Sequence, residues 1–239
     1  AVGLSLFGDM AMYVILPVHF SEIGLTALQV GILLSANRWV RLLTNRLAAR
    51  LLRRANSSIL FPLALLAGSL TTAAYATASR WLVPTFVVLL LLRVIWGICW
   101  SFIRHTGVMT TVGIGGSHLA GRLMGVYLAL VQAGFVAGTL VAGILYDAYD
   151  FSTTFLLAAA MSLAAVPTGF LATRRRPLEA QSGSVRPPPL QGGSVPLAVR
   201  GFIVSLVGAG LIMSTLGYLL RRSFGDSIPL GALVGGGTT

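Results

Sequence analysis

The sequence has no lysine, one cysteine and only six acidic residues, and each scarcity excludes something. With Cys99 alone, an intrachain disulfide and a cysteine-based zinc site are both ruled out. The thiol falls within an apolar run, where a packing role is expected. Charged residues make up 10% of the 239 positions and apolar ones 56%, whereas an ordinary soluble domain has roughly 25% charged residues. So little polar surface cannot cover a water-soluble fold of this size. Lipid is the better solvent for most of the chain. The patterns of enzyme chemistry are also missing, with no paired carboxylates and no Ser/His/Asp set. Gly113, Gly115 and Gly116 follow no strand and so make no phosphate loop. His105 and His118 lack metal-ligand spacing. The chain is expected to be no enzyme and to hold no cofactor or metal.

What is present is arginine, seventeen residues giving a net charge of +11. Arginines in short clusters between apolar runs suit the orientation of membrane helices better than a phosphate-binding face, so no nucleic-acid partner is expected. A membrane helix needs about 20 mostly apolar residues. Six segments qualify: Leu4–Ile23, Leu25–Leu43, Ile59–Ala78, Leu82–Phe102, Leu123–Tyr146 and Phe151–Thr173. A seventh follows near Ala198–Leu220. Ile228–Thr239 is apolar but too short to cross. The fold class is therefore an all-α, polytopic membrane helical bundle. Three parts are expected: a six-helix bundle over 1–173, a flexible Pro- and Gly-containing linker over 174–199, and the start of a second bundle over 200–239. Both ends read as cut, as in a fragment.

Arginines fill alternate loops. Arg38, Arg41, Arg46, Arg50, Arg53 and Arg54 stand after helix 2, Arg104 and Arg122 after helix 4, and Arg174, Arg175, Arg176, Arg186 and Arg200 after helix 6. The positive-inside rule places that side, and the N-terminus, in the cytoplasm. Arg221 and Arg222 oppose the pattern.

Charge inside the membrane is expensive and by default functional. Arg93 lies midway along helix 4 and, at helical spacing, shares a face with Trp96, Gly97, Trp100 and Arg104. Asp9 lies two turns into helix 1, followed by Tyr13, Pro17 and Phe20 along its face. The two charges occupy similar depths. Their pairing would be either a proton-responsive switch or a static clasp, and Arg93 itself is either a solute-path or a structural residue. His19 is expected to fill an interfacial niche, and Glu22 to be solvated. In helix 5, Gly134, Gly138 and Gly143 offer close helix packing or a sliding surface.

The segment Arg41-Leu-Leu-Thr-Asn-Arg-Leu-Ala-Ala-Arg50 resembles the loop signature of the major facilitator superfamily, approximately G-x-L-(A/S)-(D/N)-R-x-G-R-(R/K). Leu43, Asn45, Arg46 and Arg50 match it, while Arg41 and Ala48 replace its glycines. Arg93-Val-Ile-Trp-Gly97 is similar to the family's R-x-x-x-G signature in helix 4, whose Arg is implicated in proton coupling. Helix 5 is similar to the glycine-rich antiporter signature, with Thr139 where that motif has Pro. The resemblance implies two six-helix bundles around a central cavity, with a switch loop at Leu43, Asn45, Arg46 and Arg50. It also implies alternating-access transport of a small solute, coupled to protons, in a bacterial cytoplasmic membrane, by a protein monomeric at full length. Cavity or coupling roles would fall to Asp9, Tyr13, Pro17, Arg93, Trp96, Gly97 and Trp100. Efflux of amphipathic compounds and uptake of small metabolites both stay open. A non-transporting membrane scaffold of six or seven helices is the alternative.

Overall fold

The computed structural model describes residues 1–52, 57–78 and 84–174, with Val199, Arg200, Ile203 and Val207. The linker, the seventh helix, the terminal stub, Arg53, Arg54, Arg80, Arg221 and Arg222 are expectations that fall outside the described residues or almost wholly so. Among the described residues every regular element is helical: α1 Val2–Ser5, α2 Phe7–His19, α3 Ala27–Leu52, α4 Ser57–Tyr75, α5 Thr85–Ala148, α6 Phe151–Leu163 and α7 Ala165–Arg174.

Two pairs of short helices are each one interrupted span. The first span, Val2–His19, contains α1 and α2 with a turn at Leu6. The span Phe151–Thr173 contains α6 and α7, broken at Ala164. Pro167 has no N–H for the Leu163 carbonyl one turn back, so the ladder is weakest where α6 yields to α7. By length and apolarity, Ser58–Tyr75, Thr85–Ile114 and Leu119–Ala148 also qualify to cross a membrane.

The 64-residue α5 merges two expected helices and the loop between them. It is not a straight rod. A straight helix would separate Gly107 from Tyr127 by about 30 Å. Instead, a Cβ on Gly107 would stand 2.7 Å from the Tyr127 hydroxyl. The helical run therefore doubles back between them, giving a first leg (Thr85–Ile114) and a second leg (Leu119–Ala148).

A second correction concerns α3. The expected helix ended at Leu43 with a loop after it, but α3 continues to Leu52. Leu43, Asn45, Arg46 and Arg50 stand on its last turns, with Leu43, Arg46 and Arg50 exposed and Asn45 half-buried. Arginine is a good helix former, and no Pro or Gly interrupts residues 41–52, so nothing local stops the helix there. Interrupted by Arg38, Arg41, Arg46 and Arg50, α3 falls below the apolarity of the five spans.

Contacts give the directions. Asp9 meets Asn37 across the tight connection at Phe20–Thr26, so the first span and α3 form an antiparallel hairpin. Gly24 turns that connection with a φ of 74°, a left-handed value that glycine adopts without strain. Along α3, Leu33, Asn37 and Thr44 meet Arg93, Gly97 and Ser101 in the same order, so α3 and the first leg of α5 run parallel. The second leg follows the first span: Gly134 abuts Gly3, and Gly138 abuts Phe7 and Met10.

Two apolar clusters form the core. One gathers Met12, Ile15, Leu16, Leu33, Tyr75, Leu89 and Phe155 towards the His19 end. The other gathers Leu6, Phe61, Leu65, Trp96, Trp100 and Ile103 towards the start of the chain. Three buried hydroxyls are satisfied within their own helices: Ser69, Thr72 and Thr173 donate to the carbonyls of Leu65, Gly68 and Gly169, one turn back, whereas those of Thr106 and Thr154 find no partner. Such bonds keep polar side chains tolerable where lipid offers no partner.

Candidate functional site

Between the two clusters lies a polar layer. Asp9, on the first span, is 3% exposed, and Arg93, on the first leg of α5, is 0% exposed. Arg93 Nη1 donates to Asp9 Oδ1 in a buried ion pair. Arg93 Nε donates to the Leu33 carbonyl at 3.3 Å. Asn37 completes the junction: its side-chain amide donates to Asp9 Oδ1 at 3.2 Å. One carboxylate oxygen thus joins three helices. A buried charge pair is tolerable only with such supporting hydrogen bonds, because desolvation otherwise outweighs the attraction.

Arg41, one turn beyond Asn37, extends the layer. Its Nε donates to the Asn37 carbonyl at 3.0 Å, and its Nη2 donates to the Asn37 side-chain oxygen. Asn37 therefore receives from Arg41 and gives to Asp9, fixing which end of its amide faces which partner. Tyr13 packs beside the pair. The Arg93 guanidinium lies 5.1 Å from the centre of its ring and that of Arg38 lies 5.7 Å from it, both within cation–π range. The Tyr13 hydroxyl donates to the Leu34 carbonyl at 3.3 Å. The Tyr75 hydroxyl lies close enough to Arg93 to interact with it, although neither it nor Arg93 Nη2 makes a well-aligned hydrogen bond.

The sequence-derived set separates into two groups. Asp9, Tyr13 and Arg93 come together. Gly97 lies against α3, where a Cβ would stand 3.1 Å from the Asn37 carbonyl oxygen. Its lack of a side chain permits the approach that brings Asn37 to Asp9. Trp96 and Trp100 leave this face: they stack with ring centres 5.5 Å apart inside the second apolar cluster, at 1% and 4% exposure. The helix turns about 100° per residue, so Arg93, Gly97 and Ser101 face α3 while Trp96, Cys99 and Trp100 face the core. Arg104 is exposed. Pro17 lies inside α2, near its end.

Gly134 and Gly138 bring the second leg onto the first span. A Cβ on Gly134 would stand 2.6 Å from the Gly3 carbonyl oxygen, and one on Gly138 would stand 3.2 Å from the Met10 side chain. Gly143 meets nothing within 4 Å. At the far end His19 Nδ1 bonds Glu22 at 2.8 Å, the Tyr146 hydroxyl donates to the other Glu22 oxygen at 3.2 Å, and the His19 and Tyr146 rings lie 4.4 Å apart. Glu22 stays exposed, as expected, and also links His19 to Tyr146.

Asn37 and Tyr75 are the residues that sequence reasoning missed. Asn37 shares the Arg93-facing side of α3 with Leu33, and an amide one turn beyond the apolar Val30–Leu34 stretch was the available signal. Tyr75, at the end of α4, carries no signal separating it from a core aromatic.

A helical bundle whose spans converge on a buried charge layer defines an integral membrane protein. The sequence model of the Major Facilitator Superfamily matches residues 1–238, and the chain belongs to that family. Its members are secondary transporters of small solutes rather than enzymes. A comparison with curated proteins gives no match.

Proposed function

We propose that this chain carries the proton-coupling half of a secondary transporter that works by alternating access. The observation that carries the reading is the buried Asp9–Arg93 pair, shared with Asn37 across three helices. With Asp9 ionised, the pair holds the first span, α3 and α5 together. A proton on Asp9 removes the attraction and leaves Arg93 to its bond with the Leu33 carbonyl. A carboxylate whose charge state decides whether helices are clasped couples protonation to helix position, as rocking of bundles requires. In this reading the arginine-rich Leu52 end of α3 faces the cytoplasm, in a bacterial inner membrane. The solute is small, and it is expelled as an amphipathic compound or taken up as a metabolite. The full-length protein works as a monomer.

The test is solute-driven proton flux in liposomes containing the full-length protein, with and without Asp9→Asn. Coupling is expected to vanish in the variant while downhill solute exchange persists. Unchanged coupling in a folded Asp9→Asn protein rejects the role of Asp9.

A further inference from the structure

We propose that Tyr75 is the second acceptor of Arg93, taking up the guanidinium when a proton on Asp9 releases it. The proposal rests on the coupling role of Asp9 given above and adds a positioning residue to it.

The first observation is burial. Tyr75, at the end of α4, is fully buried, and so is Arg93. The Tyr75 hydroxyl lies close enough to Arg93 to interact with it, yet neither it nor Arg93 Nη2 makes a well-aligned hydrogen bond. A donor and an acceptor are thus shut away side by side and left unjoined. Buried polar groups without partners cost free energy, and a neighbouring arrangement that joins these two accounts for both at once. The Tyr75 ring is held edge-on against Phe155, with centres 5.5 Å apart, so its hydroxyl has a fixed place.

Position gives the move its direction. The Ser152 hydroxyl donates to the Ala76 carbonyl, so α4 finishes at the His19 end. Thr72 packs against Gly8, and Tyr75 follows about one turn later. Tyr75 therefore lies on the His19 side of the Asp9–Arg93 pair, in the cluster that holds Ile15, Leu33 and Phe155. Arg93 Nε donates to the Leu33 carbonyl of that same cluster, which gives the guanidinium a pivot. Turning on that bond exchanges Asp9 for Tyr75 and carries the charge from the first span towards α4.

Charge decides when the exchange occurs. An ionised Asp9 attracts Arg93 more strongly than a neutral hydroxyl does, and its Oδ1 accepts from both Arg93 and Asn37. A proton entering on the other oxygen removes the attraction and leaves a buried guanidinium that one carbonyl does not satisfy. The Tyr75 oxygen supplies the missing acceptor. Tyr13 is not an equal alternative, because its hydroxyl is directed to the Leu34 carbonyl and it meets Arg93 with its ring. The other ionisable groups facing the pair are Arg38 and Arg41 of α3, which stay charged throughout. Along α4 Tyr75 is the one ionisable residue, and α6 has none. Those of the second leg, Arg122, Tyr127, Tyr146 and Asp147, stand towards its ends, and Arg104 lies about three turns from Arg93 on their own helix.

The test follows the carboxylic-acid C=O infrared band that Asp9→Asn abolishes, titrated in full-length protein in nanodiscs. In Tyr75→Phe the midpoint of that band should move about one to two pH units lower, the contribution of one hydrogen bond from a charged donor. Melting temperatures give a second readout. Above the transition Tyr75→Phe should melt at or above the wild-type temperature, since the missing hydroxyl had no bond there. Below the transition it should melt lower. Phe155→Leu, which disturbs the same ring contact and spares the hydroxyl, should lower melting alike on both sides and leave the midpoint in place. An unmoved midpoint in Tyr75→Phe, an equal movement in Phe155→Leu, a loss of melting temperature alike on both sides, or a Tyr75→Phe protein that fails to fold overturns the role of Tyr75 and leaves that of Asp9 standing. Absence of the Asp9 band at every pH rejects the coupling reading and the role of Tyr75 with it.

Discussion

Asn37 donates to Asp9 at 3.2 Å while its amide oxygen accepts from Arg41, so one neutral side chain connects a carboxylate to a guanidinium it does not touch directly. Asn37→Ala should remove both bonds. Each buried bond lost costs about 1–3 kcal/mol where a partner stays unsatisfied. The variant should melt at a lower temperature and lose transport, while Asn37→Gln should only partly restore either. Thermal melting and flux, measured on the same preparation, check this. A variant with wild-type values for both would mean that the junction is incidental.

The ion pair predicts strong non-additivity. Arg93→Ala leaves a buried carboxylate unpaired and should destabilise by about 3–5 kcal/mol. Asp9→Asn together with Arg93→Gln removes both charges and should cost less than Arg93→Ala alone. Unfolding in mixed detergent micelles measures the difference. If the double variant is the less stable, the pair is not the dominant interaction.

Two glycines of the second leg should behave in opposite ways. Gly134→Ala places a methyl against the Gly3 backbone and should cost about 1–3 kcal/mol, because backbone cannot move aside as a flexible side chain does. Gly143→Ala meets open space and should be neutral or slightly stabilising through helix propensity. Melting curves of the two variants side by side make the comparison.

The reversal within α5 can be tested chemically. In a Cys99→Ser background, Gly107→Cys and Tyr127→Cys should be joined by a short bifunctional thiol crosslinker, since the tip of the Tyr127 ring reaches Gly107 while a direct disulfide would need the Cβ atoms themselves in contact. A pair at Gly107→Cys and Ala148→Cys should not. Free thiols remaining at 107 and 127 in the folded protein would contradict the hairpin.

Asp150 caps α6, accepting from the backbone N–H of Ser152 at 3.0 Å and from the backbone and hydroxyl of Thr153. The Thr153 hydroxyl bond, with help from the backbone, holds its carboxyl below the ordinary carboxylate value. A depressed folded-state value means that the cap's contribution is full above the ordinary range, near about pH 4, and fades as pH falls through the folded value. The protection of the Ser152 and Thr153 amides, read as exchange relative to the intrinsic rate at each pH, should therefore fall on acidification in the wild type. In Asp150→Asn it should not change with pH through this group.

Asp9 and Arg93 were legible in the sequence because a charge within an apolar run has few destinations except a partner. Their union through Asn37 was not, since the amide lies on a helix already crowded with arginine. The placement of Trp96 and Trp100 failed for a geometric reason. Residues three and seven positions from Arg93 lie within a broad stripe by spacing alone, but a helix packed on several sides divides such a stripe between neighbours. The extent of α3 failed because arginines were read as a loop, although arginine does not end a helix. The merging of two spans into α5 left no trace in composition, as both legs are apolar enough to cross a membrane alone.

The stacked indoles have an optical consequence. Trp96 and Trp100 are shielded within the protein, whereas Trp39 is 68% exposed on the opposite side of α3 from Asn37. In a Trp81→Phe background, which leaves these three indoles, brominated acyl chains would therefore quench the emission of Trp39 and spare the stacked pair. The light that survives reports on the packing beneath Arg93, and a change in its intensity during turnover would register motion of the first span against α5 without an added label.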